Sequence, residues 1–322
     1  MAFKHAVVLI CDKNFFLPTF ASALSARRHL TRGDVLIRIL VTDADAAWCE
    51  RLGAAGRAKT ISIMPAPVSE IAALQPHHRD RYLPVAALSR FWVDRFLEPE
   101  IERFLYLDGD VLVDGDLDEI FSAIMPAGGM LAASDTVCLC LNELGPGPKR
   151  EQAYLQSLGL DNGEYFNSGV ILASRDGWRA IADDAVAFLI ANGEVCRSSD
   201  QSALNAVAGD RLGRLSLRWN YQSDHMTLLD PRTIGIKPVI WHFTGAPKPW
   251  HCADWPWDES FNWAYRDAEK LLDGLGIANP RPSAAQLDAG LAHRRRARKR
   301  LQWLYPWRRL TRRKAIRAQL AG

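Results

Sequence analysis

The chain has 322 residues, of which 48% are hydrophobic and 24% charged, with 22 Gly and 17 Pro. That composition excludes a disordered, collagen-like or coiled-coil protein and predicts one sizeable core with an appendage. The net charge of +3 conceals an asymmetry, because residues 294–317 hold 12 Lys or Arg and no acid, leaving 28 basic against 37 acidic residues elsewhere, a body at −9.

In chain order, residues 6–11, 35–41, 60–64 and 104–107 are short apolar runs bounded by polar turns, with helical patterns over 15–30 and 83–97. Strand and helix alternate, which predicts βαβ units and an α/β fold with a mainly parallel sheet, its ligand crevice beyond the carboxyl ends of the strands. Residues 130–133 read as a further strand, 134–162 as an irregular excursion rich in Gly and Pro, and 170–173 as a return to the sheet. Helices over 178–191 and 201–208 follow, then a strand near Leu215, a strand over 238–242 and an aromatic, Pro-rich loop through Trp257. The apolar stretches fall short of the roughly 20 residues that span a bilayer, and the start of the chain lacks a signal-peptide core and cleavage site. Cys11, Cys49, Cys138, Cys140, Cys196 and Cys252 form no C-x-x-C pair and no zinc-finger grouping, so reduced thiols in a cytosol are expected.

The most informative stretch runs Arg103-Phe-Leu-Tyr-Leu-Asp108-Gly109-Asp110-Val-Leu-Val-Asp114, an apolar strand ending in two carboxylates around one glycine. Such a turn suits a hard divalent cation and leaves coordination positions free for phosphate oxygens. A second element, Trp241-His242-Phe-Thr-Gly245-Ala-Pro-Lys248-Pro-Trp250-His251, places a histidine at a strand end ahead of a Gly/Lys loop suited to phosphate. Third comes Glu164-Tyr-Phe-Asn167-Ser168-Gly169, an amide and a close-approach glycine at a strand entry. The fourth, Ser199-Asp200-Gln201-Ser202-Ala-Leu-Asn205, reads as a helix start with Ser199 or Asp200 as N-cap, which would set Asp200 and Gln201 at the crevice.

These elements, in this order and with Asp12-Lys13-Asn14, Arg90 and Arg218-Trp219-Asn220, resemble the glycogenin-like glycosyltransferases of family 8, most closely the bacterial branch acting on lipopolysaccharide. The resemblance covers about residues 5–260 and implies a GT-A type fold. It further implies retaining transfer of a hexose, galactose or glucose, from a UDP-sugar, with Mn²⁺ or Mg²⁺ bridging the diphosphate. By position it makes Asp108, Asp110 and His242 the metal ligands. Asp12, Lys13, Asn14 and Phe15 would meet uridine, and Gly245, Lys248 and Trp250 would clamp the diphosphate together with Asp108 and Gly109. Arg90, Asn167, Gly169 and Asp200 would hold the donor sugar, and Gln201, beside Asp200, would act at the anomeric carbon. Lys13 and Ser202 depart from the pattern, standing where relatives commonly carry acids.

The chain thus divides into a catalytic domain over 1–275, with its nucleotide-binding half in 1–115 and an acceptor excursion at about 134–162 that shows no similarity of its own to the family, and a basic tail over 276–322. On a helical wheel Leu287, Leu291, Leu301 and Tyr305 form one stripe, Trp303, Trp307 and Leu310 add interfacial anchors, and Pro306 must interrupt the helix. The tail therefore predicts peripheral attachment to an anionic membrane surface; together with the resemblance this implies the cytoplasmic face of the inner membrane, a glycan or glycolipid acceptor and no nucleic-acid partner. Two competing readings are a haloacid-dehalogenase-type phosphohydrolase built on Asp108-Gly109-Asp110 and a non-catalytic nucleotide-sugar-binding protein.

Overall fold

The apolar runs become strands in the computed structural model, which describes residues 3–66, 85–160, 164–253 and 255–321. Strands β1 (His5–Cys11) and β2 (Val35–Val41) are buried along their whole lengths, as suits β-branched runs covered on both faces. With β3 (Ile61–Pro65) and β4 (Arg103–Leu107) they form a parallel set in the order β3-β2-β1-β4. β5 (Val111–Val113) leaves this sheet, which continues through β6 (Met130–Ser134), β7 (Phe166–Ser174) and β8 (Leu212–Leu215) as β4-β7-β6-β8. β7 runs antiparallel to β4 and β6, while β6 and β8 are parallel. The mainly parallel sheet expected from the alternation is thus present, with β7 reversed.

Helix α1 (Phe16–Arg28) carries the chain from β1 to β2 and buries Phe16 and Phe20 against one face of the sheet. On the other face α5 (Arg175–Asn192) sets Trp178 edge-on to Phe104 at 5.5 Å. Between them lie α2 (Ala46–Arg57), α3 (Val85–Ser89), which continues as a 3-10 helix Arg90–Phe96, and α4 (Pro146–Ser157). The helix expected over 83–97 therefore changes pitch at Arg90, and its first two positions lie outside the described residues. The excursion over 134–162 is in part a correction: 12 of its residues form α4, which starts with a proline where a missing N–H costs nothing and buries Leu155 beside Leu141 and Tyr165.

A three-stranded sheet, β5-β10-β9, adds β9 (Tyr221–Gln222) and β10 (Ile240–His242) and sets His242 opposite Val111 on one side and Gln222 on the other. Its register brings the histidine to the acidic turn that precedes β5. α6 (Ser199–Ala208) starts one residue earlier than its expected caps, with Ser198 as N-cap and Ser199 at φ 49°. Asp200 is therefore free of capping, and its carboxylate turns to Arg90 instead.

α7 (Ser223–Leu228) and α8 (Trp263–Leu271) lead to α9 (Ala284–Lys299) and α10 (Pro306–Ala321). Pro306 breaks the tail as expected, at the first position of α10. The stripe is a correction: Leu287 and Leu291 are half-buried on the side of α9 that carries Arg294, which donates to the Pro247 carbonyl at 2.7 Å and stacks 4.0 Å over Trp257. The side chains of α10 divide likewise, with Ile316 and Leu320 fully buried in the main core and Trp307 and Leu310 outward.

Candidate active site

The order β2-β1-β4 makes the boundary between β1 and β4 a topological switch point, where the chain leaves neighbouring strand ends in opposite directions and opens a crevice. A cavity of about 300 Å³ lies there, lined by Asp12, Asn14 and Phe15 after β1, by Arg90 and Tyr106, by Asp108, Gly109 and Asp110 after β4, and by Pro280. Asp12 accepts from the Phe15 N–H at 2.8 Å, which shapes the turn. Lys13 does not line this cavity: its N–H donates to Asp43 at 2.7 Å and its ammonium lies 5.6 Å over Trp48.

Gly109 is required by close approach, since a Cβ there would lie 2.2 Å from Thr19 Oγ1. Asp108 Oδ1 accepts from Tyr106 Oη at 2.9 Å and Arg90 Nη2 at 3.0 Å. Asp108 Oδ2 and Asp110 Oδ1 lie 3.7 Å and 3.2 Å from His242 Nε2. Burial opposes the charge on Asp110, but Lys248 and His242 outweigh it and hold the carboxyl well below the usual range. Lys248 Nζ sits 2.6 Å from Asp110 Oδ2 and also donates to the Phe243 carbonyl.

The hydrogen-bond network assigns the tautomer of His242. Asp135 Oδ2 can only accept, so the Asn167 amide directs Nδ2 to it at 3.1 Å and keeps Oδ1 for the Asn220 Nδ2 at 2.9 Å. Asn220 Oδ1 then faces His242 Nδ1 at 2.9 Å, so Nδ1 carries a proton and Nε2 is the nitrogen turned to the two carboxylates. The ligand atoms of Asp108, Asp110 and His242 all lie within 4.8 Å of one another, and a cation bound among them would take the lone pair of a neutral Nε2 together with both carboxylates. The donor set therefore fits a divalent metal ion.

Arg90 is 5% exposed and knits the remaining groups together. Its Nη1 donates to the Ser168 carbonyl and to Ser168 Oγ, both at 2.7 Å, and its Nε lies 2.9 Å from Asp200 Oδ2. Burial disfavours this guanidinium, yet Asp200, Tyr106 and Asp108 outweigh that and keep it charged. Gln201 Oε1 accepts from the Ser168 N–H at 3.0 Å and, more loosely, from Ser168 Oγ and Asn167 Nδ2 at 3.3 Å, while Nε2 donates to Asp135 at 3.2 Å. Gly169 admits the metal-site histidine, because a Cβ there would sit 2.2 Å from His242 Cε1.

Residues 6–254, most of the chain, match the family described as glycosyl transferase family 8. The chain belongs to that family. The lipopolysaccharide glucosyltransferase WaaO of Escherichia coli is 26% identical over 204 residues, covering 60% of this chain and 57% of that one. General stress protein A of Bacillus subtilis is 28% identical over 186 residues, covering 53% of this chain and 60% of the relative. The matches thus span less than two thirds of these relatives. Among solved structures the galactosyltransferase LgtC, determined with donor and acceptor sugar analogues, superposes with a TM-score of 0.65 over 86% of this chain and 98% of its own at 20% identity. That likeness shows the family's GT-A fold here.

Within this family 8 chain the expected residues Asp108, Asp110, His242, Arg90, Asn167, Gly169, Asp200 and Gln201 gather in one network, with Lys248 joined through Asp110. Gly245 and Trp250 lie in the loop after β10; Trp250 is a packed ring, 5.8 Å edge-on to Phe15 and 4.8 Å from Tyr265. Residue-by-residue reading missed Asp135, Tyr106 and Pro280 and gave Asn220 no part. Pro280 reaches the crevice because His251, whose Nδ1 accepts from the Lys248 N–H at 3.1 Å, directs Nε2 to its carbonyl at 2.9 Å.

Proposed function

We propose that this family 8 protein is a metal-dependent hexosyltransferase that moves galactose or glucose from a UDP-sugar to a glycan acceptor of the lipopolysaccharide type, with retention of configuration. The observation that carries the reading is Nε2 of His242 held toward Asp108 and Asp110 at the edge of the switch-point cavity. WaaO bears a lipopolysaccharide glucosyltransferase's name, which supports the acceptor class. The competing phosphohydrolase asks for a free nucleophilic Asp108, whereas Arg90 and Tyr106 already occupy its Oδ1.

Asp108, Asp110 and His242 would hold Mn²⁺ or Mg²⁺, which supplies charge to offset that developing on departing UDP. Asp12, Asn14, Phe15 and Gly109 would seat the nucleotide in the 300 Å³ cavity, with Lys13 contributing only backbone, and Gly245 and Trp250 would frame the phosphates. Lys248 is placed to exchange part of its contact with Asp110 for a phosphate oxygen, an interaction that strengthens as negative charge builds. Arg90 fixes Asp200 and Ser168, and with Asn167, Gly169 and Asp200 it would hold the donor hexose. At the anomeric carbon the Gln201 carbonyl oxygen would stabilise positive charge, giving up its two 3.3 Å contacts to do so. An amide is a poor nucleophile, so attack of the acceptor from the leaving-group side is preferred over a covalent intermediate at this residue.

Residues 1–275 hold all the proposed catalytic and ligand-binding side chains; 276–322 adds Pro280 to the cavity wall and Ile316 and Leu320 to the core, and we propose that it also attaches the protein to the cytoplasmic face of an anionic membrane, with no nucleic-acid partner. No helix among the described residues is long and apolar enough to cross a bilayer. What supports surface attachment is the outward face of α10, where Trp307 and Leu310 are 59% and 67% exposed beside Lys314 and Arg317, with Trp303 at 80% just ahead. Arg294, Arg298, Arg308 and Arg312 are engaged within the protein, so exposed cations such as Lys314 and Arg317 would supply the attraction, each about 1 kcal/mol.

The test is a panel of UDP-hexoses assayed for UDP release with Mn²⁺, with and without chelator, on wild type and Asp110→Asn. Release that chelator and Asp110→Asn both abolish supports the proposal. Chelator-insensitive release, or none from any UDP-hexose, overturns it.

A further inference from the structure

Glu143 lies in the turn between the 3-10 helix Thr136–Leu139 and α4, and its side chain is only 9% exposed. Its carboxylate accepts from Arg312 Nε at 2.6 Å and Nη2 at 2.8 Å, a two-pronged pair, and Arg308 Nε stands 3.3 Å away. Arg308 also donates to the carbonyl of Leu144. Both arginines project from α10, the helix whose outward face carries Trp307 and Leu310. A carboxylate this buried is costly to leave unpaired, so these contacts fasten the turn to the helix.

The far end of α10 is anchored without Glu143. Ile316 and Leu320 are fully buried in the core, and Ser216 Oγ donates to the Gln319 carbonyl at 2.9 Å. The helix is thus a fixed bar, and Glu143 ties a surface turn to it.

That turn leads back to the reaction centre through a short stretch of chain. The Glu143 N–H donates to the Cys140 carbonyl at 3.0 Å, and the preceding 3-10 helix is capped by Asp135, whose Oδ1 accepts from the Val137 N–H at 2.9 Å. The other oxygen of Asp135 holds Gln201 and Asn167. The donor-side groups Asp108, Asp110, His242 and Arg90 hang on β4, β10 and the helix at Arg90, and among the described residues the partners of Glu143 are Arg308, Arg312 and Cys140, which lie on none of these.

We infer that Glu143 is a positioning residue for the acceptor: by strapping segment 136–145 to α10 it sets the wall of the site that the acceptor meets, while Asp135, whose own N–H is held by the Tyr165 carbonyl at 2.8 Å, keeps the donor-side groups in place. The inference rests on the transferase reading above and on segment 134–162 as its acceptor side. It makes the helix offered to lipid the brace of the acceptor wall, so attachment and acceptor capture share one element.

The test uses the full chain, with Glu143→Gln and Arg312→Met as independent ways to cut the strap and Glu143→Asp as the conservative variant. Each is assayed for hydrolysis of the UDP-hexose by water and for transfer to the best-used member of a disaccharide panel, alongside amide hydrogen exchange. Both cutting variants should raise the acceptor KM roughly tenfold, leave donor KM and hydrolysis within about twofold, and speed exchange over 136–157 but not in β4 or β10. Glu143→Asp should recover part of the acceptor KM. Equal losses in hydrolysis and transfer, or unchanged exchange and unchanged acceptor KM, overturn the inference while the transferase reading stands. Absence of any UDP release from the wild type overturns both.

Discussion

Asn220 presents Oδ1 to His242 Nδ1 at 2.9 Å, and its own orientation is dictated by Asn167 and ultimately by the acceptor-only carboxylate of Asp135. One carboxylate thus reaches the candidate metal site through two amides and sets which imidazole nitrogen faces Asp108 and Asp110. The same carboxylate holds Gln201, so the proposed metal ligand and the proposed catalytic amide are oriented from one point.

Removing that relay should weaken the metal site without touching a ligand. Asn220→Leu leaves Nδ1 of His242 unpaired and the tautomer unspecified. The Mn²⁺ concentration for half-maximal UDP release should rise by roughly 10- to 100-fold. Saturating Mn²⁺ should recover much of the rate. A variant with wild-type Mn²⁺ dependence would show that the relay does not set ligand geometry.

Gly169→Ala tests the close approach of strand and histidine. A Cβ would stand 2.2 Å from His242 Cε1 and 2.6 Å from Asp108 Oδ2, in a region too buried to yield freely. Displacing either ligand by about 1 Å is expected to cost on the order of 100-fold in activity. Stability should fall by only about 1 to 3 kcal/mol, the range for overpacking. Activity within threefold of wild type would place the histidine outside the working site.

The contrast between these two positions shows what the sequence could reveal. Asp108 and Asp110 announce themselves in the turn after the apolar strand β4, and His242 at the end of β10, while β1, β2 and β4 are legible as buried runs. Asp135 and Asn220 gain their roles only from partners that are far away in the chain, 32 and 53 residues for Asn167 alone, and no local pattern encodes that. Helix α4 was hidden by Pro146 and Pro148, which look like breakers but fall in its first turn. The tail was legible in charge and opaque in packing, since nothing in an arginine's neighbours says that it will meet Glu143.

Burial pushes the imidazole of His225 down to about 3, so it is neutral in the folded chain. Its folded value lies below the ordinary 6.5, so the stability gained from the neutral form is whole above pH 6.5 and is lost as pH falls toward 3. Between pH 6.5 and 5 the loss amounts to about 2 kcal/mol. Urea unfolding across that window should show a slope that His225→Gln flattens, even though the variant loses the 3.3 Å bond from the Gln222 N–H and starts less stable. An equally steep slope in the variant would assign the acid sensitivity to another group.

Attachment and folding can be separated in the tail because α10 has two faces. Truncation after Asp288 removes Ile316 and Leu320 from the core, together with the partners of Glu143, and the two apolar side chains alone contribute about 2 kcal/mol each. The truncated chain should therefore melt at a clearly lower temperature and lose transfer as well as vesicle binding. Replacing Trp303, Trp307 and Leu310 by Ser instead changes only exposed positions and should leave melting and UDP release within error of wild type. That triple variant should float poorly with vesicles containing anionic lipid, and its residual binding should vanish with added salt, because screened charge is all that remains. Wild-type flotation by the triple variant would move the attachment surface elsewhere on the protein. A truncated chain that melts like wild type would deny that α10 belongs to the fold.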